Sequence, residues 1–366
     1  MDTADILRIR LSAQLVEGSQ ATTLHGVVSR LMAMQAQDYA AATWAIGLRL
    51  PGSTLADVEK AIANREIVRT WPMRGTLHFV AAKDARWMTS LLAPRILARA
   101  AKRERDLGLD PATFKRAREL LASALKGGRR LGRPDAMALL EAGGVTTSGQ
   151  RGYHILWRLS QEGLLVLGPT EGRQQTFALL DEWVPATRST LCPNAPREAL
   201  LAKLATRYFA GHGPATVADL ARWAGIPKTE AGAAASFAGA SVESVSYDGE
   251  RYWFDPSASE RAFGVKHGAV HLLPGFDEYM LGYTDRRLQL GEHLKSHGSH
   301  VASNGMLAAT IVVDGRAVGI WQRRSLKKQT VSLAITVFRS LTPKERSGLA
   351  REQARYARFV GRELIK

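Results

Sequence analysis

One order of elements recurs along this 366-residue chain and constrains its fold more than any single motif. Helix, turn and helix are followed by two runs of β-formers joined by a tight turn. The clearest copy begins with FKRARELLASALKGG, a helical period closed by glycines. GRPDAMALLEAGG follows, with proline near its start and glycines at its end. SGQRGYHILWRLSQEGLL is an amphipathic helix with Tyr153, Ile155, Leu156, Leu159 and Leu164 as core candidates. LLVLGPTEGRQQTFALLDEWV then reads as strand, turn, strand. A second copy runs from REALLAKLATRYFAGHG through TVADLARWAGI and PKTEAGAAASFAG to the hairpin VESVSYDGERYWFD. Its Asp248–Gly249 is the strongest short hairpin signal in the chain. A repeat of pattern without a repeat of letters points to tandem copies of one small architecture, the winged helix-turn-helix.

The N-terminal part fits the same order. STLADVEKAIANREI reads as a helix with Ser53 and Thr54 as caps. VRTWPMRGTLHFV, at 68–80, reads as a hairpin or wing around Pro72 and Gly75, and Asp84 is placed to cap the long helix that follows. The C-terminal part is different. AVHLLPGFDEYMLGY, GMLAATIVVDGRAVGIW and VSLAITVFRSL are strand-rich, GEHLKSHGSH reads as a loop, and Thr342–Pro343 opens a final helix. The expected fold is α+β: three tandem winged helix-turn-helix units at 1–110, 111–190 and 191–262, then a β-rich domain with a terminal helix at 263–366.

Charge narrows the function. Fifty basic residues against 34 acidic ones give a net charge of +16, which points to a polyanionic partner, most often nucleic acid. The basic residues cluster. Arg86, Arg95, Arg99, Lys102, Arg103 and Arg105 recur along one helix, Lys126, Arg129, Arg130 and Arg133 follow, and Arg323, Arg324, Lys327 and Lys328 form a later group. The single cysteine, Cys192, excludes a disulfide within the chain and a cysteine-rich metal site. The N-terminus lacks a signal-peptide pattern and no apolar run is long enough to span a bilayer, so a cytoplasmic, nucleoid-associated protein with no membrane partner is expected. Walker and G-x-S-x-G elements are absent. His293, His297 and His300 have ligand-like spacing but sit in a Gly/Ser/Lys context with no fixed acidic partner, so no metal is expected.

One helix of the second unit, Gln150 to Glu162, offers Gln150, Arg151, His154, Arg158 and Gln161 as polar positions, whereas KTEAGAAASF of the third offers almost none. One polar helix among three units suits shape and phosphate binding better than base reading.

LMAMQAQDYAAA holds the unexpected feature. Gln35 and Gln37 interrupt an apolar run, with only Ala36 between them. In a helix, residues two apart diverge by about 200°. In an extended link they share a side. Asp38 is a good N-cap for the helix that begins with YAAATWAIGL. The stretch therefore reads as helix, short link, helix, with both amides able to converge near a helix N-terminus. The alternative is that the amides only satisfy backbone groups at helix ends.

LMAMQAQDYAAATWAIGLR, RTWPMRGTLHFV, LLPGFDEYMLGYTDR and VDGRAVGIWQRR together resemble the signature blocks of the AlkZ/YcaQ superfamily of DNA glycosylases. The blocks match in order over nearly the whole chain, and Gln35–Ala36–Gln37 is similar to the glutamine–apolar–glutamine triplet of the AlkZ type. The resemblance implies Gln35 and Gln37 as the catalytic pair, a C-shaped molecule with a basic concave face, and N7-alkylated purines as substrates, including bulky natural-product adducts and interstrand crosslinks. It implies no cofactor. The partner would be double-stranded DNA carrying alkylated purines, bound by a monomer with no obligate protein partner.

The chemistry suits amides. Neutral glutamine is no general base, but its carbonyl accepts and its NH₂ donates, so two glutamines can orient one water at C1′. An N7-alkylpurine already carries positive charge and leaves without a general acid. No lysine stands out as a Schiff-base nucleophile, so base removal without strand cleavage is expected. Arg74, His78, Arg151, Arg323 and Arg324 are DNA-contact candidates, and Asp277 with Arg286 reads as an internal structural pair. A non-catalytic winged-helix regulator is the alternative function.

Overall fold

The computed structural model describes residues 1–171, 174–184, 195–262 and 267–365. Cys192, Gly172 and Arg173 of the expected wing turn, and the boundary expected at 190–191 lie outside the described residues. The chain divides into two compact units, Met1–Val58 with Leu201–Lys366, and Glu59–Leu200.

The unit Glu59–Leu200 contains helices and an antiparallel sheet. Its strands lie in the order Thr76–Ala81, Ile67–Met73, Leu165–Glu171, Gln174–Leu179, Leu131–Gly132. The hairpin expected at 68–80 is present, with Met73 opposite Thr76 and Arg74 and Gly75 both at positive φ in the turn. This is the backbone that a two-residue hairpin demands. Helices Pro111–Leu125, Arg133–Ala142 and Arg151–Gln161 bury Phe114, Leu121, Leu140, Ile155 and Leu159 against Trp71 and Phe177. Each large apolar side chain removed from water contributes roughly 1.5–3 kcal/mol.

Two local expectations fail here. Tyr153 is 41% exposed, on the polar side of its helix, with the Arg133 guanidinium 5.8 Å from its ring. Its amphipathic spacing is that of a core residue, but its hydroxyl is accommodated more easily in water. Asp84 does not cap helix Ala82–Asp106. The N-cap is Ala81, and Asp84 is buried in the first turn, taking the indole N–H of Trp87 at 2.8 Å.

The other unit has two sheets of note. The first is the hairpin Glu243–Tyr247 and Glu250–Phe254, turning on Asp248–Gly249 as expected. The second runs in the order Glu363–Leu364, Thr330–Val337, Arg316–Leu326, Thr310–Val313, Val270–Leu273. The terminal helix Pro343–Phe359 opens with a capping box between Thr342 and Glu345. It packs on helix Tyr39–Gly47 at Gly47, where any Cβ would collide with the Phe359 ring.

GEHLKSHGSH is helical, not a loop, spanning Gly291–His293 and Leu294–Val301. Its spacing puts His293 and His297 on one helix face. His297 stacks on Phe338 at 4.2 Å and His293 lies 5.7 Å from the same ring, so the histidines serve as packing surface. Among the described residues, no group of three or more His, Cys, Asp or Glu could hold a metal ion. Nor is any helix there long and apolar enough to cross a membrane.

Candidate active site

The glutamine segment is built by three consecutive breaks in regular structure. Helix Leu24–Leu31, capped by Thr23, stops at Met32. Met32 has φ 63° and ψ −54°, close to γ-turn geometry that is strained for any residue but glycine. Burial holds it there, since Met32 is fully inaccessible. The chain then extends through Ala33–Gln35, bends at Gln37 and Asp38, and re-enters a helix at Tyr39. Asp38 accepts the Ala41 N–H at 3.0 Å and is the N-cap read from the sequence. Ala36 is buried between the two amides, Gln35 is half-buried and Gln37 is exposed.

Two adjacent buried carboxylates anchor this segment and the helix that follows it. Glu278, 1% exposed, accepts the Gln35 backbone N–H at 3.1 Å on one oxygen. Its other oxygen accepts the Trp223 indole N–H at 2.8 Å and faces His212 Nε2 at 3.4 Å. His212 is itself stacked on Tyr208 at 4.7 Å. Asp277 takes two hydrogen bonds from Arg49, both 2.8 Å, with both side chains fully buried. Arg49 also donates to the carbonyls of Ala45 and Gln14, each at 2.8 Å. Glu278 thus fixes the backbone at the first glutamine, while Arg49–Asp277 fixes the far end of the helix that the second glutamine leads into. Bidentate, fully satisfied pairs of this kind set geometry more than they add stability.

The expected pair Asp277–Arg286 is therefore incorrect. Arg286 donates to the Met280 carbonyl at 2.7 Å, and Asp277 belongs to Arg49. Arg49 precedes Asp277 by 228 positions, so no local spacing exposes the partnership.

The DNA-contact candidates occupy different settings. Arg74 donates to His78 Nε2 at 3.0 Å, and His78 Nδ1 bonds the Thr76 carbonyl at 2.8 Å. A carbonyl only accepts and a guanidinium only donates, which fixes the neutral Nδ1–H tautomer of the buried His78. Arg151 donates to the carbonyls of Thr146 at 3.1 Å and Gly108 at 2.9 Å. Arg323 and Arg324 are both exposed, and Arg324 is the extra residue of a bulge between Arg323 and Ser325. On helix Ala82–Asp106, Arg95, Arg99, Lys102, Arg103 and Arg105 are exposed. Lys126, Arg129, Arg130 and Arg133 are exposed as well.

Helix Arg151–Gln161 spends most of its polar residues internally. Arg158 grips Glu104 through two bonds of 2.6 and 2.7 Å and Glu162 through one of 2.6 Å. Burial alone would lower the Arg158 pKa, but these bonds outweigh it and hold it above the usual arginine value. Burial also keeps His154 below the ordinary imidazole range, despite Glu104 beside it. Gln161 is 2% exposed.

A family model described as DNA glycosylase AlkZ-like matches residues 28–359, most of the chain, including Gln35, Gln37, Arg49, Asp277 and Glu278. The chain belongs to the AlkZ-like DNA glycosylase family. It is similar to the "Interstrand DNA cross-link repair glycosylase" of Streptomyces sahachiroi, 27% identical over 323 residues, which are 86% of this chain and 85% of that protein. The solved structure of Streptomyces sahachiroi DNA glycosylase AlkZ shares the fold, with a TM-score of 0.81 and 24% identity over the full length of both chains.

Within this AlkZ-like chain, sequence reading passed over three residues that shape the glutamine segment: Met32, Arg49 and Glu278. Met32 gives no local signal, because an unbranched apolar residue carries no mark of positive φ. Glu278 did leave one. It lies in a strongly apolar context, LLPGFDEYMLGY, where a buried acid needs a specific partner.

Proposed function

We propose that this chain is a monofunctional DNA glycosylase that hydrolyses the N-glycosidic bond of N7-alkylated purines, including bulky natural-product adducts and interstrand crosslinks. Gln35 and Gln37 orient one water against C1′. The water oxygen bonds to C1′ as the N9–C1′ bond breaks, and the bond's electrons neutralise the cationic purine. The water's proton passes to solvent, leaving an abasic site. No cofactor enters the step. Asp38, one residue on, caps its helix and puts negative charge near the developing oxocarbenium ion.

The observation that carries this reading is the tight backbone restraint on a glutamine–alanine–glutamine segment in an AlkZ-like chain. Strain at Met32, the Glu278 bond to Gln35 N–H and the Asp38 cap all act on a few consecutive residues. Orientation of a neutral nucleophile needs such preorganisation, since its contribution comes from geometry. The crosslink part of the proposal is supported by the name of the Streptomyces sahachiroi relative.

Double-stranded DNA is the proposed partner, bound by a monomer in the cytoplasm. Exposed Arg323 and Arg324 and the basic run Arg95 to Arg105 are suited to phosphates. Arg74, His78 and Arg151 remain proposed contacts that also hold local structure. The helix–helix–hairpin succession supports reading the fold as tandem winged helices.

The test is a duplex containing 7-methylguanine. Released free base and an alkali-labile site are expected, with no enzyme–DNA adduct trapped by borohydride. An intact duplex after prolonged incubation, or a trapped adduct, contradicts the reading.

A further inference from the structure

The terminal helix Pro343–Phe359 lies in the same compact unit as the glutamine segment, burying one face and exposing the other. On the buried face, Phe359 meets Gly47, and Tyr356 packs against Trp44 and Trp321 with ring centres 5.2 Å apart. Tyr356 lines one pocket with Asp38 and Arg323, so this face looks toward the glutamines. Lys344, Arg351 and Arg358 are exposed. At 3.6 residues per turn and 1.5 Å per residue, they fall on one side in steps of roughly 10.5 Å, about 200–240° round the axis from Tyr356.

The fold does not consume the charge on this outer side. Among the described residues, Arg351 and Arg358 make no hydrogen bond or ion pair. Lys344 donates to the His267 carbonyl at 2.9 Å, which leaves its charge uncompensated. Past the helix end, Arg362 donates to the Lys327 carbonyl at 3.1 Å. That bond joins the row to exposed Lys327 and Lys328, at the tip of the hairpin formed by Arg316–Leu326 and Thr330–Val337. Two acids beside the row are already engaged. Glu352 pairs with Arg355 at 3.4 Å, and Glu17, in a pocket that Arg351 borders, pairs with His271 at 3.0 Å. Glu363, next to Arg362, is the exposed acid here.

From Lys344 to Arg358 the row runs about 21 Å, and duplex DNA offers it one negative charge per roughly 1.7 Å of axis. Phosphate contacts need charge alone. A protein partner needs apolar anchors as well, and the exposed neighbours Arg346, Ser347 and Ala350 supply none. The duplex at the glutamines does not reach this row. The two places lie on opposite sides of a helix about 10–12 Å across, and DNA has a persistence length of about 150 bp, too stiff to wrap it. We propose that the outer face of the terminal helix docks a second segment of duplex DNA through its phosphates, while the first lies at the glutamine segment. The proposal rests on the glycosylase reading for what the first segment is. Held at two places, the protein passes between DNA segments without release into solvent, and the second contact carries no sequence information.

A capture experiment tests this. A short duplex containing 7-methylguanine is tethered to a surface, loaded with the protein and washed, then offered a fluorescent undamaged duplex. The wild type should capture the second duplex, and less of it as salt rises. Arg351→Glu combined with Arg358→Glu should capture at least roughly tenfold less, while affinity for the tethered duplex and 7-methylguanine release stay within about twofold, which also reports a folded protein. Arg351→Gln combined with Arg358→Gln removes the charge without reversing it and should give an intermediate loss. Capture undiminished in both double variants, or an equal fall in affinity for the tethered duplex, overturns the second site. So does a wild type that captures no second duplex, including one whose stripe binds poly-glutamate instead. Capture that depends on these arginines, in a protein that releases no base, supports the second site and overturns the glycosylase reading.

Discussion

Helix Arg151–Gln161 and the segment Gln35–Asp38 look alike in sequence, polar residues set among apolar ones, yet they use polarity in opposite ways. On the helix, side chains do the holding: Arg158 locks Glu104 and Glu162, and Arg151 binds carbonyls. At the glutamines, the backbone is what is held. Buried Glu278 and the buried Arg49–Asp277 pair carry the restraint, and Gln37 and Asp38 stay exposed. The difference teaches that a polar residue in an apolar stretch marks either a support or a group being presented. The burial of its neighbours decides which.

The largest effect is expected of Glu278→Ala. It leaves the Trp223 indole and the Gln35 N–H without their acceptor, so a loss of about 3 kcal/mol in denaturant unfolding is expected. Base release per folded molecule should fall at least roughly tenfold as the segment loosens. Glu278→Gln keeps an acceptor oxygen and should recover part of both. Arg158→Ala is the counterpart on the other side. It should cost about 1–3 kcal/mol in the same unfolding experiment and leave base release per folded molecule unchanged. A large rate loss there would erase the distinction drawn here.

A smaller effect separates display from support among the arginines. Arg323→Ala and Arg324→Ala should each make the log–log salt dependence of DNA affinity shallower by about one, with little change in stability. Arg151→Ala, which also removes the bonds to the Thr146 and Gly108 carbonyls, should add a loss of stability to the same shallower slope. The smallest effect concerns pH. The Arg339 hydrogen bond, with help from Thr342, holds the Glu345 carboxyl at about 2, below its ordinary 4.5. Its contribution is present above about pH 4.5 and is lost as pH falls toward 2. Glu345→Gln should flatten acid unfolding across that window.

Much of the fold was legible because its causes are local. Asp–Gly at 248–249 dictates a hairpin, Thr342–Pro343 starts a helix, and Asp38 caps one, each from residues within one turn. The glutamine segment was legible for the same reason. Its supports were not, since Glu278 meets Gln35 across 243 positions and no local pattern carries that contact. Tyr153 and the histidine segment were misread because side-chain pattern alone does not say which face finds a neighbour. Phe338, remote in sequence, turns His293 and His297 into packing.

In the proposed mechanism two neutral amides position the attacking water. Single-turnover release of 7-methylguanine by Gln35→Ala and Gln37→Ala, with affinity for the same duplex measured alongside, tests it most directly. A fall in rate of roughly a hundredfold or more is expected for each, with affinity within about threefold of the wild type. Wild-type rates in both variants, or a rate loss fully explained by lost binding, would contradict it.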